Sequence, residues 1–207
     1  QEKFVQWMNE KAQELGCTKT YFTNPHGLYD ENAYSTVRDI CRILDAALDN
    51  EMFRTLFTTK NYTVPETNIQ EARYIVTTND MMTKESTSRY FDERVTGGKT
   101  GASKNGRCLA VTAEDNDMEL LGIVMGAKNV VNEDDPTILD TVGSFGEMKV
   151  LLDHASDKYG CRQVFYIGQT FSQYPVENGA NHAVSTPESA VYTVLPLGFS
   201  SDQIRWV

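Results

Sequence analysis

The chain has 207 residues and a formal net charge of -10, with 19 Lys and Arg against 29 Asp and Glu. It is 40% hydrophobic and 23% charged, the ordinary balance of a folded globular protein, and long enough for one large domain or two modest ones. The acidic balance argues against nucleic acid and anionic membrane surfaces as partners, and no apolar run has the length that crosses a bilayer. The first residues do not read as a signal peptide. The chain opens inside a helical pattern and closes on Arg205-Trp206-Val207 in a strand-like one, so both ends read as cut. Cys17, Cys41, Cys108 and Cys161 lie far apart and form no C-x-x-C pair, which argues against zinc. Disulfides stay open if the protein is exported. Cys41 and Cys108 sit in apolar patterns and read as buried free thiols.

Residues Glu2 to Leu15 repeat apolar groups at Phe4, Met8, Ala12 and Leu15, a helix that Gly16 stops. Thr20–Thr23 is a short β-like run. Asn24-Pro25-His26-Gly27-Leu28 reads as a turn, in which His26 braces neighbouring backbone; the other reading of His26, a titrating catalytic group, has no acidic or nucleophilic neighbour in sequence. Ser35 and Thr36 offer an N-cap to a helix with Val37, Ile40, Leu44, Ala47 and Leu48 inward. Met52, Phe53, Leu56 and Phe57 suggest a short third helix. Thr59–Val64 and Tyr74–Thr78 read as paired strands, with Asn79-Asp80 at a turn. Met81–Asp92, with Lys84, Glu85 and Arg89, reads as a solvated loop.

Glu93 to Ala113 reads as a hairpin. Asn105-Gly106 is a strong short-range turn signal, and Arg107–Ala113 alternates Cys108, Ala110 and Thr112 against Leu109, Val111 and Ala113. The first strand carries Lys99-Thr100-Gly101 on a backbone left uncrowded by Gly97, Gly98 and Gly101. Lys99 offers a positive charge, Thr100 a hydroxyl donor, and Gly101 close backbone approach. A strand edge can pair with an extended peptide, and the Ala102 N–H can serve a developing oxyanion. Lys-Thr-Gly arises by chance in on the order of one chain in twenty-five of this length, so the tripeptide alone does not establish a site.

Asp115-Asn116-Asp117 makes a turn, and the apolar run Met118–Met125 reads as a central strand buried on both faces. Ala127–Ser144 reads as an acidic loop. Glu133, Asp134 and Asp135 lack EF-hand spacing, which favours a solvated loop over a calcium site. Phe145–Lys158 is a helix with Met148, Leu151, Leu152 and Ala155 inward, ended by Gly160. Val164–Ile167, Ala183–Ser185, Ala190–Leu195 and Ile204–Val207 are short β runs that suggest a small all-β module from about residue 160.

In this order, FVQWMNEKAQELG, YFTNPHGL, YSTVRDICRIL, the Asn79 turn, GGKTGASKNGRCLAVTA, MELLGIVMGA and FGEMKVLLDHA resemble the low-molecular-mass penicillin-binding proteins that act as serine-type D-alanyl-D-alanine carboxypeptidases. NPHGL and GGKTG are the specific parts. The resemblance covers nearly the whole chain. It implies an α+β fold: part of a β-lactamase/transpeptidase-like domain, an antiparallel sheet flanked by helices, in residues 1–159, and an incomplete β-rich module in 160–207. That family uses Ser-x-x-Lys for nucleophile and base, Ser-x-Asn for proton transfer, and Lys-Thr-Gly for the substrate carboxylate. No serine here is followed three places on by lysine. The chain is read as lacking Ser-x-Asn as well, both motifs belonging before Gln1.

The resemblance implies that Lys99, Thr100 and Gly101 bind the substrate and that the backbone N–H of Ala102 completes the oxyanion hole. The implied reaction removes the terminal D-alanine of a peptidoglycan stem peptide through an acyl-enzyme, without metal or other cofactor. The implied partners are that stem peptide, β-lactams and the protein's own missing N-terminal segment. The implied place is the cell envelope outside the cytoplasm, with no membrane anchor in these residues. Alone, these 207 residues are expected to be inactive. A transpeptidase or β-lactamase on the same fold, and a non-catalytic wall-binding or scaffolding protein, are the alternatives. The β module argues against a β-lactamase.

Overall fold

The computed structural model describes residues 1–84, 89–131, 133–134, 139–168, 170, 172–175 and 182–199. Its elements in chain order are α1 (Glu2–Glu14), α2 (Val37–Leu48), α3 (Glu51–Thr58), β1 (Asn61–Val64), β2 (Arg73–Val76), β3 (Val95–Ser103), β4 (Gly106–Asp115), β5 (Met118–Ala127), β6 (Val130–Val131), β7 (Leu139–Thr141), α4 (Gly143–Lys158), β8 (Tyr159–Phe165), β9 (Ser172–Pro175), β10 (His182–Ser185) and β11 (Val191–Pro196). The chain divides into two compact units, one of residues 1–114 and 119–153, the other of 115–118 and 154–207.

Local chemistry sets the helix ends. At the end of α1, Gly16 turns left-handed (φ +75°), its N–H donates to Gln13 O at 2.9 Å, and Cys17 N–H donates to Ala12 O at 2.9 Å. Those two bonds are a Schellman motif, which satisfies carbonyls the helix leaves open. Thr36 caps α2 by accepting from Asp39 N–H at 3.2 Å, and Asn50 caps α3 by accepting from Phe53 N–H at 3.0 Å. Within α2, Leu44 is buried and Val37 is exposed, so the first inward position read from the sequence faces solvent.

In the first unit β3, β4 and β5 form an antiparallel sheet in that order. Alternation splits β4 cleanly. Leu109, Val111 and Ala113 are buried with Val95, Val124, Phe145, Met148 and Leu152, so α4 covers that face. Cys108, Ala110 and Thr112 belong to the opposite face, toward α2 and α3. β1 and β2 pair separately, with Asn61 opposite Val76 and Val64 opposite Arg73. Tyr21 and Tyr34 make only an isolated bridge, where the sequence suggested a longer run at Thr20–Thr23.

Several expectations are corrected. Met81 and Met82, read as part of a solvated loop, are 0% and 1% exposed and sit in the core. They show no periodicity because two successive apolar side chains of an irregular segment both enter the same core. Glu85 of that stretch lies outside the described residues. β5 is at the outer position of its sheet among the described residues, and β4 is the middle strand. The apolar run of β5 reflects helices over both sheet faces rather than strands on both sides. The expected loop at Ala127–Ser144 contains the short β6–β7 pair, and Ser144 lies inside α4. Leu151 is 48% exposed. Gly160 does not end α4 but is buried inside β8, opposite Leu195.

In the second unit, β8 pairs antiparallel with β11 and β9 with β10. Asn116 and Asp117 make a left-handed turn at φ +50° and +58°, and Asn116 Nδ2 donates to Ser156 O at 2.9 Å. Ile204–Val207 lie outside the described residues. All four cysteines are free thiols. Cys17 is buried, while Cys41 and Cys108 are half-buried rather than fully enclosed.

Candidate functional site

The hairpin of β3 and β4 builds the site. Lys99 stands opposite Ala110, Thr100 opposite Leu109 and Gly101 opposite Cys108. Since paired residues share a face, Lys99 and Gly101 belong to the α2–α3 side and Thr100 to the α4 side. β3 is an outer strand among the described residues, so part of its backbone hydrogen-bonding capacity faces away from β4. Lys99, Gly101 and Ala102 are exposed and Thr100 is half-buried.

The Lys99 ammonium donates to Thr100 O at 2.5 Å, its one polar contact among the described residues. Thr100 Oγ1 is 2.5 Å from Thr78 Oγ1. Nothing acidic neutralises Lys99 among the described residues, and the charge is available to an anion. Beside it, between α2, α3 and the sheet, lies an apolar cavity of about 540 Å³ lined by Ile40, Leu44, Phe57, Lys99, Cys108 and Ile123.

The glycines divide by function. A Cβ on Gly97 would lie 2.8 Å from Phe57 Cδ1 and 2.7 Å from Thr112 Oγ1, and one on Gly98 only 2.2 Å from Asn79 Nδ2. These two glycines therefore let α3 and the Asn79 turn press on β3 from opposite faces; they do not hold space for a ligand. Only Gly101 keeps the openness read from the sequence, its Cβ position meeting nothing closer than Cys108 Cβ at 3.5 Å.

The hairpin tip also corrects the reading that no Ser-x-Asn occurs. Ser103-Lys104-Asn105 has that pattern, but it follows Lys-Thr-Gly and forms the turn itself. Ser103 Oγ accepts from Asn105 N–H at 3.1 Å, and Lys104 Nζ sits 4.2 Å from the Tyr29 ring centroid. Its serine is committed to the turn. His26 Nδ1 accepts from Leu28 N–H at 3.3 Å, while Asn24 Oδ1 accepts from Gly27 N–H at 2.9 Å. His26 is thus exposed and braces its turn.

β3 is anchored at its start by charge. Arg94 donates from Nε and Nη2 to both oxygens of buried Asp92, at 2.9 and 2.6 Å, and from Nη2 to Asp153 Oδ1 at 2.6 Å. The Arg94 hydrogen bonds hold the Asp92 carboxyl below its ordinary range against the opposing effect of burial, and the same bonds raise Arg94. Sequence reasoning missed two residues that shape the site, Thr78 and Asp92, and read Asn79 only as a turn residue. The Asn-Asp turn signal pointed near Thr78.

Comparison with known proteins gives the context. Residues 1–129 match the model of the D-alanyl-D-alanine carboxypeptidase family. The chain is 26% identical over 196 residues to D-alanyl-D-alanine carboxypeptidase DacF of Bacillus subtilis, covering 94% of this chain and 46% of that one. It is 33% identical over 127 residues to DacA of Haemophilus influenzae, covering 59% and 29%. Among solved structures, a peptidoglycan synthesis regulatory factor (PBP3) from Streptococcus pneumoniae superposes with a TM-score of 0.69 at 18% identity, over 96% of this chain and 56% of that one. A D-alanyl-D-alanine carboxypeptidase from Mycobacterium tuberculosis superposes at 0.54 with 25% identity, over 73% and 53%. The fold is thus α+β of the penicillin-binding-protein type, and the chain spans less than half the length of the Bacillus relative.

Proposed function

The chain belongs to the D-alanyl-D-alanine carboxypeptidase family, and on that premise we propose that it is part of a serine peptidase that trims the terminal D-alanine from peptidoglycan stem peptides. Lys99 and Thr100 hold the terminal carboxylate, Gly101 lets the peptide approach β3, and the Ala102 N–H helps stabilise the oxyanion. The nucleophilic serine and its lysine base come from residues outside these 207, since no Ser-x-x-Lys occurs among them. The serine attacks the carbonyl between the two D-alanines, the last D-alanine leaves with a proton, and water hydrolyses the ester. β-Lactams acylate the same serine. The protein works in the cell envelope, outside the cytoplasm, and needs no cofactor. Residues 1–159 are the C-terminal part of the catalytic domain and 160–207 a β-rich module.

The observation that carries this reading is the exposed ammonium of Lys99, without a carboxylate partner among the described residues, on an outer strand beside a hydroxyl and an open glycine. The experiment is labelling with a fluorescent penicillin. The complete gene product should be labelled at a serine outside these residues, and the 207-residue chain alone should stay unlabelled. A label on the 207-residue chain, or none on the complete product, overturns the proposal.

A further inference from the structure

Two neighbouring contacts tie the segment after β2 to the proposed carboxylate site. Positions 98 and 100 of β3 point to the same face. Asn79 occupies the first, its amide packed over the bare backbone of Gly98. Thr78 reaches the second, its hydroxyl 2.5 Å from that of Thr100.

The residues on either side hold Thr78 in place. Asn79 is fully buried, its Oδ1 accepts from Met81 N–H at 3.2 Å, and its O accepts from Met82 N–H at 3.0 Å. Both methionines are locked in the core. Asn79 N–H donates to Thr77 Oγ1 at 3.2 Å, and Thr77 N–H to Lys60 O at 2.8 Å. Among the described residues, buried Asn79 Nδ2 has no hydrogen-bond partner.

Donor bookkeeping gives the pair a function. Each hydroxyl has one proton and two lone pairs. One proton is used inside the Thr78–Thr100 bond, which leaves the pair one O–H to offer outward. If Thr78 donates, the Thr100 proton is free, and an accepted bond at Thr100 polarises it as a donor. An anion beside Lys99 selects that arrangement, because only then does Thr100 give it a proton. We propose that Thr78 is a positioning residue: it donates to Thr100 and so turns the Thr100 hydroxyl into a second donor for a terminal carboxylate at the outer edge of β3, where the Lys99 ammonium, from the other face, reaches the Thr100 carbonyl. This rests on the carboxylate reading of Lys99 and Thr100 given above.

The test uses the complete gene product and two acyl-D-Ala-D-Ala peptides, one with a free C-terminal carboxylate and one with a C-terminal amide. The readout is the ratio of kcat/KM for acid over amide. Thr78→Val should lower that ratio about three- to tenfold, the range of one hydrogen bond, mainly through KM on the acid. Thr78→Ser, which keeps the hydroxyl, should restore it. In a Thr100→Val background, Thr78→Val should change the ratio no further. Equal losses on both peptides would make Thr78 merely structural and overturn the inference, as would an undiminished ratio in Thr78→Val while Thr100→Val lowers it. If the native protein shows no preference for the acid, or Thr100→Val leaves the ratio unchanged, the carboxylate reading itself falls and this inference with it.

Discussion

Gly98→Ala tests whether the turn at Asn79 and the strand of the proposed site are packed as one unit. The added Cβ would sit 2.2 Å from Asn79 Nδ2, 3.3 Å from Asn79 Cγ and 3.0 Å from Ala110 O. Ala110 O is backbone of the middle strand of the sheet. Asn79 is fully buried and tethered through Met81 and Met82. Neither neighbour can yield cheaply, so overpacking costs about 1–3 kcal/mol. The lower entropy of an unfolded chain with Ala returns roughly 0.4–1 kcal/mol. The net loss is about 1–2 kcal/mol, and at ~2–4 °C per kcal/mol for a protein of this size the melting temperature should fall by roughly 2–8 °C. Differential scanning calorimetry reads it. Gly101→Ala is the control, since its Cβ would meet nothing closer than 3.5 Å; its melting temperature should not fall, and the same entropy effect should raise it by roughly 1–4 °C. Asn79→Ala removes the atoms in the way, so Gly98→Ala should cost less in that background than in the native one. A Gly98→Ala protein as stable as the native one, or strict additivity with Asn79→Ala, refutes the packing argument.

The Asp92–Arg94 pair gives stability a pH dependence of known sign. Because the folded state lowers Asp92 below its ordinary value of 3.8, its contribution is complete above that value and is lost as pH falls through the lowered folded value. Asp92→Asn should therefore destabilise by about 1.5–3 kcal/mol at pH 7, the worth of hydrogen bonds to a charged group, and the gap from native should narrow in urea melts run progressively below pH 4; a gap independent of pH contradicts it. On α4, Met148 is 0% exposed and Leu151 48%. Met148→Ala should cost about 2–5 kcal/mol and Leu151→Ala within roughly 0.5 kcal/mol, as read by the same melts; similar costs would mean the helix face is misassigned.

Much of the hairpin was legible in the sequence because its signals are local. Asn105-Gly106 marks the turn and the apolar alternation of Leu109, Val111 and Ala113 marks the buried face, and both are where expected. The Thr36 cap and the Gly16 stop are also decided within one turn of helix. What failed depends on partners distant in sequence. Met81 and Met82 look like loop residues until β3, β4 and α4 enclose them. Gly97 and Gly98 look like open backbone for a ligand until Phe57 and Asn79 are seen to fill the space. Thr78 has no motif of its own; its 2.5 Å contact with Thr100 joins residues 22 positions apart. The outer position of β5 was hidden because an apolar run reports what covers a strand's faces, not what lies at its sides.

Recognition of a free terminal carboxylate by Lys99 is the central claim, and one comparison addresses it directly. Turnover of the complete gene product and its Lys99→Ala variant is measured on an acyl-D-Ala-D-Ala peptide and on its C-terminal amide. A charge-assisted hydrogen bond is worth about 1.5–3 kcal/mol, so kcat/KM on the free acid should fall at least about tenfold, while the amide, which never had that contact, should lose far less. Equal losses on the two peptides would contradict the carboxylate role of Lys99 and the reading of the site built on it.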